Sequence, residues 1–569
     1  MNNRSGRRAL LALAAAAIVW AAAVAITGGI VIETAWRRVS SRDALRPLAV
    51  GTVLIAVYVL AWRRHWRTDL GRIAAPGVPQ RLTAAIAIAI ALALGLGWGT
   101  RIAGGPDASG YVSEATLFAE GALTIPAPSW TIDAPWHDAR LTASPVGFRP
   151  SGRPGVLAPT YPPGLPLLLT LFLVIGGRDA VFYVVPLLGA ALAWCTYRLG
   201  SRLGGQWAGA IAALFLVSSP TFLSLQQQVM SDVPVTLFWT AALTIALSRA
   251  HPFWCGAAAA IAVLIRPNLA PLAVVPALLV LARSDRRIWH LMAFSMPVAA
   301  GVATFAALNA HLYGSPVNSG YGSFAGLYSL DYVGTNLRQY TGWFVGQHTA
   351  LVLLGLLAFT VPGEDRSRRW TIALVTVVFP TLVFALYLPY LVFQPWEWWY
   401  TRFLLPGYPA LLCGLGTLIV SFVRRSKRFE LAVAFMALVT AFIVVHGWRF
   451  AVVNSVFTQR SGDQRFARAV RYVQRLPPRS VIVSLAHSGT IRLYANRDVL
   501  RFEAVDPGEL DLVLDYLQQR GYELYLVGDD FEIQMFRTRF APTHAVARMD
   551  PRRAVNLSGV SVYRLNSTD

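Results

Sequence analysis

Charged residues are scarce in this sequence. Asp, Glu, Lys and Arg make up 14% of the 569 residues, whereas a soluble globular protein carries about 25%. This scarcity excludes a multidomain soluble enzyme. The 55% of apolar side chains and the mean hydropathy of +0.49 indicate a protein with many membrane-spanning helices.

Acidic residues are the rarest of the charged residues. There are 29 of them against 50 basic ones, which gives a net charge of +21. The basic residues stand in short clusters between apolar runs, as orientation determinants of membrane proteins do. We therefore expect no nucleic-acid partner, although such an excess of positive charge can indicate one.

Cysteine is also rare. The three cysteines, Cys195, Cys255 and Cys413, all lie within apolar segments. They provide no disulfide framework for an extracytoplasmic domain.

Long apolar runs fill most of the chain up to residue 459. A transmembrane helix needs about 20 apolar residues. The stretch 9–32 follows three arginines but has no convincing cleavage site, so we interpret it as a retained helix and not as a signal peptide. The run 165–176 is too short to cross and is expected to be a re-entrant or juxtamembrane helix. The 13 predicted spans are 9–32, 47–62, 82–99, 179–199, 206–223, 233–249, 252–265, 268–282, 289–309, 346–362, 370–391, 403–421 and 430–447.

The C-terminal part differs from the rest in charge. Of the last 110 residues, 29 are charged, against 50 of the first 459. Amphipathic helices are predicted at 460–476 and 508–520, and strands at 480–485, 523–527 and 560–565. Strands that alternate with helices favour a small α/β domain. The predicted fold is thus a polytopic α-helical membrane protein with a small C-terminal α/β extracytoplasmic domain.

Lys and Arg are unevenly divided between alternate loops, which predicts the orientation. With the N-terminus inside, the cytoplasmic loops hold 21 of these residues and the outer loops hold 12 up to residue 428. The sequence therefore predicts a multi-pass protein of the plasma (inner) membrane with its N-terminus in the cytoplasm. The predicted parts are N-terminal transmembrane helices at 1–100, an outer loop at 101–164, a transmembrane core at 165–459 and an outer domain at 460–569.

Three carboxylates lie near the predicted outer ends of spans. Asp107 follows span 82–99, Asp232 precedes span 233–249, and Glu114 lies seven residues after Asp107, on the same face of a helix. Each aspartate could be only a helix N-cap, but a carboxylate at membrane depth is expected to be functional. The two aspartates could hold an acceptor hydroxyl or amine and remove its proton, a step for which one carboxylate is enough.

Two arginines complement these carboxylates. Arg266 interrupts an apolar stretch between two half-length helices, where it needs an anionic partner or water. Arg402 begins a span from the outer side among aromatic residues, and it could equally be a snorkelling interfacial arginine. Because guanidinium groups bind phosphate in a bidentate manner, a lipid-linked phosphate would satisfy both.

Five short motifs together resemble the GT-C superfamily of membrane glycosyltransferases. Their order and their predicted face match, and the resemblance covers about residues 100–420. The most similar branch contains the protein O-mannosyltransferases and the lipid A aminoarabinose transferases. The motifs are Asp107-x3-Tyr111, Tyr161-Pro162-Pro163-Gly164, Ser231-Asp232-Val233-Pro234, Arg266-Pro267 and Arg402-Phe403-Leu404-Leu405-Pro406.

This resemblance implies a polyprenyl-phosphate sugar donor and a lipid, glycan or protein acceptor. It also implies sugar transfer at the outer face of the membrane, with inversion at the anomeric carbon. It makes 101–164 the first catalytic loop, Asp107 the general base and Asp232 a second acidic catalytic position. Arg266 and Arg402 are expected near the donor phosphate, with substrate contacts from the remaining candidates, Tyr111, Tyr161 and Glu114. Some relatives have a lysine at the position of Tyr161, so this chain is expected to belong to a different branch.

The sequence leaves three alternatives open. Asp133, His137 and Asp138 have metal-ligand side chains at close spacing, so a divalent metal remains an option, although the proposed chemistry requires no cofactor. A polytopic transporter or a flippase for lipid-linked sugars would also suit many spans and an intramembrane arginine. An inert scaffold whose outer domain binds envelope components is the third.

Overall fold

The computed structural model divides into two compact units, residues 1–82 and 83–569. It describes residues 45–62, 77–283, 285–322, 326–549 and 554–565, two short strands, and single positions between 10 and 21. In the first unit the strands Ile30–Thr34 and Arg37–Ser41 form an antiparallel hairpin, followed by the helix Leu45–Ala61. The predicted span 47–62 is thus confirmed as a helix. Most of the predicted span 9–32 lies outside the described residues. Its last three residues belong to the first strand, and the other described ones are helical: Leu10, Leu13, Ala14, Ala17 and Ala21.

Six helices among the described residues are long and apolar enough to cross a membrane. Six shorter apolar helices accompany them, so the predicted total of 13 spans stays a prediction. The long helices are Val78–Trp98, Arg178–Gly204, Arg287–Tyr313, Arg366–Tyr387, Trp398–Arg425 and Phe429–Val453; the shorter ones are Leu45–Tyr58, Gly164–Gly176, Gln206–Leu216, Asp232–Ala246, Pro252–Ile265 and Pro267–Ala282.

The long helices differ in how deeply they pack. The apolar part of Trp398–Arg425 is 94% buried, whereas that of Phe429–Val453 is 11% buried. Small residues allow this central position: a Cβ on Gly414 would lie 2.2 Å from the backbone oxygen of Gly355, so only glycine permits the close approach. The exposed faces of Phe429–Val453 are those expected to meet lipid.

The half-length helices around Arg266 are confirmed. The helix Pro252–Ile265 ends where Arg266 takes an extended conformation (φ −142°, ψ 90°), and the chain continues as a 3₁₀ helix, Pro267–Ala273, and the helix Val274–Ala282. Pro267 lacks a backbone N–H and disfavours the helical conformation of the residue before it. The break therefore places a guanidinium at the end of a buried helix.

The predicted span 346–362 is bent and is not one straight helix. The helix Val333–His348 and the 3₁₀ helix Ala350–Thr360 meet there at an angle of 96°. Thr349 between them has a positive φ of 66°, which no α-helix continues through. The segment 310–345, between the predicted spans 289–309 and 346–362, contains most of the helix Val333–His348.

Residues 459–565 form a layered α/β structure. Three parallel strands, in the order Asp498–Leu500, Ser480–Val483 and Glu523–Gly528, continue antiparallel into Ser561–Leu565 and Val555–Asn556. The predicted strands near 480, 523 and 560 and both predicted helices are confirmed. The helices of this layer are Gln459–Gly462, Gln464–Val473, Ser488–Ala495, Leu510–Gln519 and Asp530–Phe540.

The predicted outer loop 101–164 packs against this α/β layer. It holds the helices Gly105–Ala119 and Ala139–Thr142 and a small antiparallel sheet of Ile125–Pro126, Val156–Pro159 and Phe148–Pro150. Trp130 and Trp136 share one buried cluster with Val481 and Leu500 of the layer. The two segments belong to one compact unit, and a domain boundary at residue 460 stays a prediction.

Candidate functional site

Asp107 lies in the first turn of the helix Gly105–Ala119. Gly105 has a φ of +72°, a conformation that suits glycine, and Pro106 starts the helix as prolines commonly do. Close packing fixes the helix: a Cβ on Gly110 would lie 2.2 Å from the Tyr161 ring. This packing brings the Tyr161 hydroxyl to the carboxylate of Asp107.

Both oxygens of Asp107 have a partner. The Tyr161 hydroxyl donates to Oδ1 at 2.7 Å, and Nη1 of Arg402 donates to Oδ2 at 2.9 Å. Burial raises the pKa of Asp107, but the Arg402 guanidinium and the two hydrogen bonds outweigh it and hold this pKa below its usual value. Asp107 is therefore ionised at neutral pH.

Arg266 forms a second and more deeply buried pair with Asp232. Its Nη2 donates to Oδ1 of Asp232 at 2.6 Å, and its Nε donates to the Ser231 hydroxyl at 3.1 Å. Asp232 begins the helix Asp232–Ala246 and is fully buried. Both arginines lie near the aromatic ring of Phe403, whose centroid is 5.4 Å from Cζ of Arg266 and 5.1 Å from Cζ of Arg402.

A cavity of about 490 Å³ joins most of these groups. Asp107, Tyr111, Ser231, Arg266 and Arg402 are among the residues that line it. Each arginine also has a buried nitrogen without a hydrogen-bond partner among the described residues, Nη1 of Arg266 and Nε of Arg402. Aromatic side chains supply much of the remaining wall: Tyr321, Tyr328, Tyr387, Tyr390 and Phe403.

Two of the predicted carboxylates do not reach this cavity. Asp232 lies behind Arg266 and is absent from the lining. Glu114 is absent too, because seven residues carry it about 10 Å along the helix axis while the cavity meets only the helix start. Glu114 is buried, its Oε2 has no hydrogen-bond partner among the described residues, and burial raises its pKa well above the ordinary value.

The three candidate metal ligands in the first loop do not converge. His137 and Asp138 form an exposed pair at 3.2 Å, and Asp133 is exposed without joining them. Among the described residues, the one group of three metal-type ligands is elsewhere, at His487, Asp529 and Glu532 in the α/β layer. No sequence motif pointed to that group.

The tyrosines of the cavity wall are the residues that the sequence did not single out. Asn268, directly after the Arg266-Pro267 break, donates through Nδ2 to the Tyr387 hydroxyl at 3.1 Å. Tyr387 stacks on Phe403 with ring centroids 4.9 Å apart. Their only signal was the general richness of the predicted outer loops and span ends in aromatic residues.

The site can thus carry out two elementary steps. A carboxylate held ionised at a cavity can accept a proton from a hydroxyl or amine. Two guanidinium groups that line the same cavity can bind an anion and stabilise charge that develops on it. Aromatic walls add flat apolar surfaces, which suit a ligand with both polar and apolar faces.

The comparison with family models gives one match. Residues 160–313 match the model described as dolichyl-phosphate-mannose-protein mannosyltransferase. The match includes Tyr161, Asp232 and Arg266 but neither Asp107 nor Arg402. No curated protein sequence matches the chain significantly.

Solved structures match over most of the chain. ArnT from Cupriavidus metallidurans bound to undecaprenyl phosphate is 14% identical with a TM-score of 0.51, and the match covers 85% of this chain and 97% of that one. The oligosaccharyltransferase of Archaeoglobus fulgidus is 12% identical with a TM-score of 0.50, and the match covers 83% of this chain and 70% of that one. The mycobacterial arabinofuranosyltransferase AftD is 15% identical with a TM-score of 0.52, and the match covers 87% of this chain and 40% of that one.

All three are membrane glycosyltransferases of the GT-C type. At these identities the likeness establishes the fold. It agrees with the long apolar helices and with the order of the five motifs. The chain is therefore a multi-pass membrane protein with the fold of the GT-C superfamily, and the resemblance read from its motifs is confirmed.

Proposed function

We propose that this protein is a glycosyltransferase that moves a sugar from a polyprenyl-phosphate donor to a lipid, glycan or protein acceptor. One observation carries the proposal: Asp107, Arg266 and Arg402 come from distant parts of the chain and border a single cavity. Transfer is expected at the outer face of the plasma membrane, with the N-terminus in the cytoplasm and the α/β layer outside.

In this proposal the two arginines bind the phosphate of the donor. Both line the cavity, and each has a nitrogen that lacks a hydrogen-bond partner among the described residues. Guanidinium groups match phosphate oxygens in charge and geometry. The structure of ArnT with undecaprenyl phosphate suggests the same class of ligand for a chain of the same fold.

The reaction is a direct displacement. The acceptor oxygen or nitrogen forms a bond to the anomeric carbon, while the bond from that carbon to the phosphate oxygen breaks and its electron pair stays on the phosphate. Arg266 and Arg402 stabilise the charge that develops there. Asp107 takes the proton of the acceptor, and the configuration at the anomeric carbon inverts.

Donor binding is expected to prepare the base. In the ligand-free pair, Arg402 lowers the basicity of Asp107 through its 2.9 Å hydrogen bond. A phosphate competes for the same guanidinium, so the pKa of Asp107 is expected to rise when the donor is bound. Tyr161 keeps its hydrogen bond to Oδ1 and holds the carboxylate towards the cavity.

Asp232 is better suited to positioning than to proton transfer. It is fully buried, does not line the cavity, and binds Arg266 at 2.6 Å. Ser231 holds the Nε of the same guanidinium. We therefore assign Asp232 the role of orienting Arg266 and neutralising it in the absence of a donor, in place of the catalytic role that its sequence motif implied.

The test compares two aspartate variants of the first loop. Asp107→Asn is expected to abolish transfer while the protein stays folded, since the amide retains the shape of the carboxylate but cannot take a proton. Asp138→Asn is the control, because Asp138 is exposed and has a positive φ of 52° that asparagine tolerates. Mass spectrometry of envelope glycolipids and glycoproteins, in cells with each variant and without the gene, is the readout. Unimpaired transfer by Asp107→Asn would refute the proposal.

A further inference from the structure

Three metal-type ligands meet at one edge of the α/β layer. His487 lies in the turn after the strand Ser480–Val483, and Asp529 and Glu532 lie just after the strand Glu523–Gly528. The two strands are parallel neighbours, so both turns emerge at the same edge of the sheet. One ligand atom from each side chain lies within 4.8 Å of the others.

His487 is the unusual member of this cluster. Its side chain is fully buried, and neither ring nitrogen has a hydrogen-bond partner among the described residues. The distance from its Nε2 to Oε2 of Glu532 is 3.6 Å, too long for a hydrogen bond. Buried polar groups are nearly always bonded, so a fully buried imidazole that faces two carboxylates requires an explanation.

The two carboxylates are held in place by the start of the next helix. Oδ1 of Asp529 accepts a hydrogen bond from the Glu532 backbone N–H at 3.1 Å, and the Glu532 side chain accepts from the backbone of Asp529, which together form a capping box. Oε1 of Glu532 also accepts from the backbone N–H of Ala486, next to His487. Backbone groups thus fix both acids beside the imidazole without using its nitrogens.

We propose that His487, Asp529 and Glu532 bind a divalent cation of the zinc class. One imidazole nitrogen and two carboxylate oxygens are ligands that zinc accepts, whereas calcium and magnesium prefer oxygen alone. Zinc–ligand bonds of about 2.0–2.2 Å separate neighbouring ligands by roughly 3.5 Å, so the cluster needs only a small contraction around the ion. Arg465 borders the cluster, with Nε 3.9 Å from Oδ2 of Asp529, so the ion would compete with this guanidinium for the carboxylate.

The cation would stabilise the contact between the α/β layer and the helix of Asp107. The His487 ring packs on Phe466 at 4.5 Å between centroids, and a Cβ on Gly104 would lie 2.3 Å from the Phe466 ring. The helix Ser488–Ala495, which starts directly after His487, binds the same region, because the Thr490 hydroxyl donates to the backbone oxygen of Ala103 at 2.8 Å. The ion would therefore affect Asp107 only by stabilising the residues that hold the start of its helix. An effect on sugar transfer depends on the proposed function, whereas metal binding does not.

The experiment measures metal directly. The full chain is purified in detergent, stripped with a chelator, incubated with Zn²⁺ and desalted, and its zinc content is determined by mass spectrometry. Asp529→Asn and Glu532→Gln remove anionic ligands but can still form the capping hydrogen bonds, so the helix is expected to persist by circular dichroism. Asp511→Asn is the matched control, because Asp511 pairs with His544 at 2.7 Å in the same layer but has no third ligand among the residues that the structure describes.

We expect stoichiometric zinc in the wild type and in Asp511→Asn, and a loss of at least tenfold in both ligand variants. Added Zn²⁺ should raise the unfolding temperature of the wild type and not that of the ligand variants, since only a ligand that binds the folded state stabilises it. Zinc absent from the wild type, or retained equally by the ligand variants, would overturn the proposal. Neither result depends on glycosyl transfer, so the proposed function is tested separately.

Discussion

The two carboxylate–arginine pairs of this protein have the same chemistry and different surroundings. Asp107 and Arg402 meet at 2.9 Å with 30% and 18% of their side chains exposed, whereas Asp232 and Arg266 meet at 2.6 Å with 0% and 11% exposed. A partly exposed carboxylate can exchange its partner for a substrate, while a sealed one cannot do so without leaving a buried charge. In the proposed mechanism, burial and not the type of residue separates the base from the positioning group.

The largest expected effect is a loss of sugar transfer when Asp107, in the partly exposed pair with Arg402, is replaced. Asp107→Asn should lower the rate by about 10²–10⁴-fold, the usual contribution of general base catalysis, with a small loss of stability because the pair is partly exposed. The measurement is the rate of sugar transfer beside the thermal unfolding temperature. A large loss of stability with normal transfer would reverse the roles assigned to the two pairs.

The buried pair, Asp232 and Arg266, should respond in the opposite way, with the larger effect on stability. Asp232→Asn leaves Arg266 buried without its counter-charge, which costs about 3–5 kcal/mol. The unfolding temperature is expected to fall markedly, whereas Asp138→Asn at an exposed site should leave it unchanged. If Asp232→Asn unfolds like the wild type, the charge of Asp232 does not stabilise the buried Arg266, and the contrast between the two pairs fails.

Arg402→Lys tests the bidentate contact with phosphate. Lysine keeps the charge but lacks the planar fork of the guanidinium, and a hydrogen bond to a charged group contributes about 1.5–3 kcal/mol. We expect the Kd for polyprenyl phosphate to rise roughly tenfold or more. The exposed Arg338 provides the control, since Arg338→Lys should leave the Kd unchanged; equal binding by Arg402→Lys would argue against a phosphate contact.

The smallest effect is expected from Tyr161→Phe. Loss of its hydrogen bond raises the pKa of Asp107, so the acidic limb of the pH–rate profile should move to higher pH. The lowered pKa of Asp107 also determines how stability depends on pH. The ionised carboxylate stabilises the folded protein at pH values above the ordinary pKa of Asp, and this stabilisation is lost as the pH falls through the lowered pKa. Tyr328→Phe, which removes another hydroxyl of the cavity lining, should leave the acidic limb in place.

Local sequence signals predicted the features that depend on neighbouring residues. An arginine followed by proline inside an apolar run predicted the helix break at Arg266, because proline stops the preceding helix. Alternating strands and amphipathic helices predicted the α/β layer, since each pattern reports the face that is buried. The fold class followed from the same signals.

Features that depend on distant residues could not be predicted in this way. The partners Asp107 and Arg402 are 295 residues apart, and the motif order suggested a common site but not which acid would pair with which arginine. The positioning role proposed for Asp232 rests on its burial, which its sequence motif does not report. The tyrosines of the wall were missed because aromatic residues are common at every membrane interface.

Hydropathy did not predict where the backbone changes direction. The stretch 346–362 is apolar enough to span, but the positive φ of Thr349 divides it into two helices. Apolar composition reports where a segment is buried and not whether its axis is straight. The seven-residue spacing of Glu114 likewise predicted its face but not its distance from the cavity.

The most direct test of the central claim is an electron cryo-microscopy structure of the full chain with a polyprenyl phosphate. The account predicts density for the phosphate between Arg266 and Arg402, with Arg402 drawn away from Asp107 and the Asp107 carboxylate free to face the acceptor. Density for the phosphate at another place, with both carboxylate–arginine pairs intact, would contradict it.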